Sequence, residues 1–380
     1  MRTRTLPAGI ERLALSLAFV LSGAGCTTAP APAAPDGAPD VVEKLRATIA
    51  AEMARLGVPG VSAALVRGGA IAWSGAFGKA DAASGAPVDE ATLFPAASCS
   101  KPVAAFAALR LAERGGLDLD APIEDVLKSW KPPPRPFFGS VTVRLILAHR
   151  AGLSIHGVPG YDRDDPNARS CREELAHTLE FLEEPGTRFR YSGGGFMILQ
   201  VLLEDATGKA FNALMEEDVL RPLGMQASTF EPYREPYAAR MARGHLRDGA
   251  PVPWRQTPGL AAAWLHTTPS DLARFMIAVY RTSRLGETHV VAPRTARTMV
   301  TPTGAAEGRY GAYTSLGFFL ADTPAGRVVF HRGTNRGYQC GMWIFLASGD
   351  GLVVMTNSAK GEELCTAAYE AVCPEAAPRG

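Results

Sequence analysis

Apolar residues recur at helical spacing from Asp40 to Gly57: Val41, Leu45, Ile49, Met53 and Leu56 fall on one face, and Gly57 supplies a stop. This pattern predicts an amphipathic helix. Two strand-like runs follow, Gly60 to Val66 and Ala70 to Phe77, joined by Arg67-Gly68-Gly69, which predicts a β-hairpin. From Pro95 to about Val300 helical patterns dominate, broken by Pro-rich stretches at Lys131 to Phe137 and Val158 to Pro166. Strand-like runs return at Leu316 to Leu320, Val328 to His331, Tyr338 to Leu346 and Leu352 to Thr356. They are β-branched or aromatic and bounded by glycine. A last helix is predicted over about Glu362 to Val372.

The order of these elements predicts an α+β fold. Both ends of the chain, residues 40–94 and 301–375, are expected in one antiparallel sheet with the terminal helices on its face. Residues 95–300 are expected to form a mostly helical lobe, with a site in the cleft between lobe and sheet. Residues 40–375 thus read as one globular domain.

The first 26 residues have a different character. Arg2, Arg4 and Arg12 precede the apolar run Leu13 to Leu21, which is too short to span a bilayer as a finished helix. Ser22, Gly23, Ala24 and Gly25 then lead to Cys26. The segment reads as an export signal, and its ending resembles a bacterial lipoprotein box, with Gly23 where leucine is usual. Lipid attachment at Cys26 and ordinary cleavage both remain open. Residues 27–39, rich in Ala and Pro, read as a tether. The expected location is exported, either periplasmic or held at a bacterial membrane by lipid.

Composition narrows the function classes. The chain is 47% hydrophobic and 20% charged, enough to build a core without a metal or disulfide framework. A net charge of +1 with dispersed basic residues gives no electrostatic case for nucleic acid. A small neutral or mixed substrate fits better. With Cys26 set aside, Cys99, Cys171, Cys340, Cys365 and Cys373 are odd in number, so at least one thiol is expected free. The cysteines and histidines show no metal spacing, and neither metal nor cofactor is expected.

Three windows carry candidate chemistry. The first is Ser98-Cys99-Ser100-Lys101 ahead of an apolar helix. Near a helix N-terminus, Ser98 and Lys101 share a face, and the unpaired backbone N–H groups there favour developing negative charge. An activated serine needs such a potential and a nearby proton acceptor. Taken alone, the window also fits a serine that merely caps a helix beside a solvated lysine. The second window is Tyr191-Ser192-Gly193-Gly194-Gly195, a tyrosine at the mouth of a glycine loop, able to pass protons on or simply to anchor the loop. The third is His331-Arg332-Gly333-Thr334 at the end of a strand run. Alternation puts His331 and Gly333 on one side and turns Arg332 away, leaving Arg336 as the cation that could reach back. Gly333 would let substrate lie against the strand, and the Thr334 N–H is a second candidate oxyanion donor beside that of Ser98.

In this order the three windows resemble the penicillin-recognising serine hydrolases, and more closely the class C β-lactamase-related esterases and D-amino-acid-specific peptidases. Leu145 to Leu153, Pro222 to Met225 and Thr267 to Phe275 are similar to scaffold stretches of that family. The resemblance implies Ser98 as nucleophile, Lys101 and Tyr191 as proton-transfer partners, and His331, Gly333, Thr334 and Gly193 as substrate-binding positions. Family members acting on peptides or β-lactams usually carry Asn at the place of Gly193 and Lys at the place of His331. Both departures favour a carboxylic ester or related small acyl substrate. The alternatives are a D-amino-acid peptidase or weak class C-like β-lactamase and, in another class, a ligand- or penicillin-binding protein without turnover.

Overall fold

The structure, a computed structural model, describes residues 38–132, 137–306 and 311–373. The predicted export signal, Cys26 and nearly all of the tether lie outside the described residues. The amphipathic stretch forms helix α1, Ala38–Leu56, with Leu45 and Ile49 fully buried. Strands β1, Gly60–Arg67, and β2, Ala70–Gly78, follow as the expected hairpin. Its turn puts Gly68 and Gly69 at φ of 57° and 73°, a left-handed pair that glycine adopts without steric cost.

Among the described residues six further strands complete one antiparallel sheet: β3, Gly304–Ala305, β4, Tyr313–Thr314, β5, Phe319–Thr323, β6, Gly326–Asn335, β7, Tyr338–Phe345, and β8, Gly351–Thr356. The order is β2-β1-β8-β7-β6-β5-β4-β3. The chain ends meet where β1 pairs with β8, Val61 opposite Thr356. Four longer helices frame the rest: α2, Ser100–Glu113, α3, Gly193–Thr207, α4, Pro269–Tyr280, and α5, Gly361–Val372. Helices α1 and α5 pack together on one face of the sheet, where Leu45, Ile49, Leu364 and Tyr369 meet Leu352 and Val354. Helices α2, α3 and α4 share the core on the other face with Val329, Met342 and Val353. The α+β architecture is the one the element order predicts. Phe94, Phe106, Phe196 and Phe275 are fully buried there, each worth roughly 2–3 kcal/mol of hydrophobic transfer.

The predicted strand at Leu316 to Leu320 is displaced. Gly317 lies in a turn at φ 103°, its N–H donating to the Leu147 carbonyl, and pairing begins only at Phe319. β6 outruns its neighbour in turn: pairing with β5 ends at Phe330, so His331 to Asn335 form an edge on that side. The five described cysteines are free thiols. Among the described residues no helix is long and apolar enough to cross a membrane.

Candidate active site

Phe94–Pro95 pairs with His266–Thr267, and the Ala96 N–H donates to the Leu265 carbonyl at 2.7 Å. The chain then turns sharply through a 3-10 turn at Ala97–Cys99, where Ala97 takes φ of 49°. A left-handed non-glycine residue costs about 1–3 kcal/mol, so its surroundings must hold it. Ser100 does so: its hydroxyl donates to the Ala97 carbonyl at 2.6 Å and accepts from the Leu265 N–H at 3.0 Å. The turn aims Ser98 into a cavity. No side chain caps the helix that follows, and the Ser98 hydroxyl is instead the partner of Lys101.

Lys101 sits one turn into the site, on the same face as Ser98. Its Nζ lies 3.1 Å from Ser98 Oγ and donates to the Ala262 carbonyl at 2.7 Å. The rings of Tyr191 and Phe196 stand 5.0 Å and 5.7 Å away. The side chain is fully buried, and loss of hydration lowers its pKa from the usual 10.5 to about 7. Much of the amine is therefore unprotonated near neutral pH. An amine without its proton at this distance can accept the serine proton.

Tyr191 is buried on the same cavity wall, set by the cap of α3. Ser192 Oγ accepts from the Gly195 N–H at 3.0 Å and donates to the Ser154 carbonyl at 2.6 Å, while the Ser192 N–H donates to His149 Nδ1 at 3.2 Å. The Gly193 and Gly194 N–H groups both reach the Ile155 carbonyl. A Cβ at Gly193 would lie 3.0 Å from a Val158 methyl group and 3.3 Å from the His156 carbonyl. Gly193 therefore packs against the loop 155–158 and does not line the cavity, in contrast to the substrate-binding position expected for it.

The third window lies across from these residues. His331 is buried, its Nδ1 2.7 Å from the Arg332 carbonyl and its Nε2 without a hydrogen-bond partner. Burial, reinforced by Lys101, holds its pKa down to about 3, so the ring is neutral. A Cβ on Gly333 would stand 2.3 Å from the Ala96 carbonyl oxygen and 3.0 Å from the Ser98 nitrogen, so only glycine lets β6 lie against the nucleophile turn. Thr334 Oγ1 donates to Gln339 Oε1 at 2.7 Å. Ser98, Tyr191, His331 and Thr334 all line one cavity of about 260 Å³.

Two histidines outside the three windows also stand at the site. His149 is buried with its ring 4.4 Å from that of Tyr191, while His156 stands 5.0 Å from it and lines the cavity. No local pattern marks either histidine. Cys99 is a packed thiol, buried and donating to the His331 carbonyl. Arg336 does not reach toward His331; it lines a smaller cavity of about 130 Å³ with Tyr233, Trp254 and Trp264. Trp343 packs in the core, its ring 4.9 Å from Tyr369. Among the described residues no cluster of His, Cys, Asp or Glu could hold a metal ion.

A serine turned toward a desolvated lysine, with a phenol and a glycine-bearing strand closing around the pair, is the arrangement of serine hydrolases that use lysine in place of a histidine base. The chain belongs to the Beta-lactamase family, whose pattern matches residues 45–373. Over 223 residues it is 34% identical to "Esterase EstB" of Burkholderia gladioli, covering 53% of each chain, so it spans about half the length of that relative. In three dimensions it is similar to the octameric penicillin-binding protein homologue from Pyrococcus abyssi, with TM-score 0.75 and 24% identity over 88% of this chain and 77% of that one. It is also similar to a D-alanine carboxypeptidase from Burkholderia cenocepacia, with TM-score 0.72 and 22% identity over 89% and 99% of the two chains. At these identities the two structures establish the fold.

Proposed function

We propose that the chain hydrolyses carboxylic esters or related small acyl compounds through an acyl-enzyme on Ser98. The observation that carries this reading is the buried Lys101 amine, 3.1 Å from Ser98 Oγ with its pKa lowered to about 7. Ser98 Oγ attacks the carbonyl carbon, and its proton passes to Lys101. Lys101 and Tyr191 act as a coupled pair in moving that proton. The Ser98 and Thr334 N–H groups hold the oxyanion, Tyr191 protonates the leaving group, and water releases the acid. The similarity to an esterase supports the substrate class, as does one feature of the site, the uncharged ring of His331. Residues 1–26 fit export, and lipid on Cys26 would hold the protein at a membrane.

Short-chain 4-nitrophenyl esters assayed beside a chromogenic cephalosporin test this reading. Ester turnover that falls at least ~1,000-fold in Ser98→Ala supports it. Cephalosporin turnover without ester turnover points to the lactam and peptide branch. Stoichiometric labelling without turnover points to a binding protein.

A further inference from the structure

Resting on the hydrolase reading, a second charge in the same cavity bears on substrate choice. Strand alternation puts His331 and Gly333 toward Ser98, and Arg332 and Thr334 on the opposite face, toward α5. Inside a sheet such faces are sealed from each other. Here β5 stops pairing at Phe330, and one cavity is lined by residues from both faces. Arg332, Gln339, Glu362 and Thr366 line it together with Ser98 and Tyr191.

Arg332 lacks a partner suited to its charge. Its Nε is buried and has no hydrogen-bond partner. Among the described residues it forms no ion pair with a carboxylate, and its guanidinium stands 5.8 Å from the Trp343 ring. A guanidinium kept only for structure would have its buried N–H satisfied by the protein, because an unmade bond there is costly. A guanidinium lining a cavity presents a planar fork of donors that matches a carboxylate. Glu362, in the first turn of α5, lines the same cavity without approaching Arg332 to ion-pair distance. Its negative charge opposes a second anionic group.

We propose that Arg332 determines specificity by receiving a carboxylate of the substrate, joined by a short flexible spacer to the acyl bond at Ser98. The cation missing at His331 is thus supplied from the other face of the same strand. The preferred substrate is a monoanionic ester, with its carboxylate on either the acyl or the leaving-group side of the scissile bond.

The test compares 4-nitrophenyl hydrogen glutarate, with its carboxylate on the acyl side, and 3-carboxy-4-nitrophenyl butyrate, with its carboxylate on the leaving-group side, against neutral 4-nitrophenyl butyrate. One anionic ester is expected to exceed the neutral one in kcat/KM by about tenfold or more at low salt, mainly through KM, and which one identifies the side. In Arg332→Gln that ratio should collapse toward one, in Arg332→Lys it should survive in part, and in Glu362→Gln it should rise. A parent with no preference for either anionic ester overturns the proposal while leaving the hydrolase reading intact. So does an Arg332→Gln change that lowers neutral and anionic turnover equally. Calorimetry with glutaramate separates the two readings. Binding to Ser98→Ala that weakens about tenfold when Arg332→Gln is added supports the arginine site even where no ester turns over; binding indifferent to Arg332 overturns it.

Discussion

Lys101→Met removes the buried amine while keeping most of its volume, and the expected change in stability has a definite sign. In the folded chain the amine is fully buried and its pKa is lowered from 10.5 to about 7. The folded value lies below the unfolded one, so between about pH 7 and 10.5 the unfolded chain binds more protons. Stability of the parent therefore rises with pH through that window and is lowest below it. At about 1.4 kcal/mol per pH unit, keeping the amine buried costs the parent about 5 kcal/mol at pH 6 and about 2 kcal/mol at pH 9. Methionine avoids that cost but loses the bonds to Ser98 and Ala262, roughly 1 kcal/mol each. The variant should thus exceed the parent by about 2–3 kcal/mol at pH 6 and match it near pH 9, while turnover falls ~1,000-fold. Urea denaturation of both proteins at the two pH values, with ester assays alongside, measures this. A stability gap that stays constant between pH 6 and 9, or a variant weaker than the parent at pH 6, would refute a water-free lysine.

Gly333→Ala should destabilise the fold by about 1–3 kcal/mol and cut kcat/KM at least ~100-fold, because the new methyl group meets the Ala96 carbonyl oxygen at 2.3 Å and displaces the serine turn; denaturant midpoints and ester kinetics check both, and an active, stable variant counts against the close approach. His331→Lys places a second cation beside Lys101 and should move the rising limb of the pH–rate profile toward acid by on the order of one pH unit; an unmoved limb would show that Lys101 does not govern it.

Several features were legible in the residues alone because they depend on near neighbours. The 3.6-residue period of Val41 to Leu56 defines α1, and paired glycines at 68 and 69 fold the hairpin back. The Ser98–Lys101 spacing puts hydroxyl and amine on one face of a turn whatever surrounds them. Alternation along β6 fixes which residues share a face with His331. Tertiary structure decided the rest. Lys101 loses its proton near pH 7 because Ala262, Tyr191 and Phe196 exclude water from it, and these come from two segments far from it in sequence. Gly193 turns toward Val158 and not the cavity because the Ile155 carbonyl claims the loop's N–H groups. Arg332 comes to share a cavity with Ser98 because residues of β6, β7 and α5 gather around it. Local period and turn chemistry are carried by neighbours in sequence. Desolvation and cavity shape sum over residues brought together only by folding, so the sequence named the reacting groups and the fold set their charge and reach.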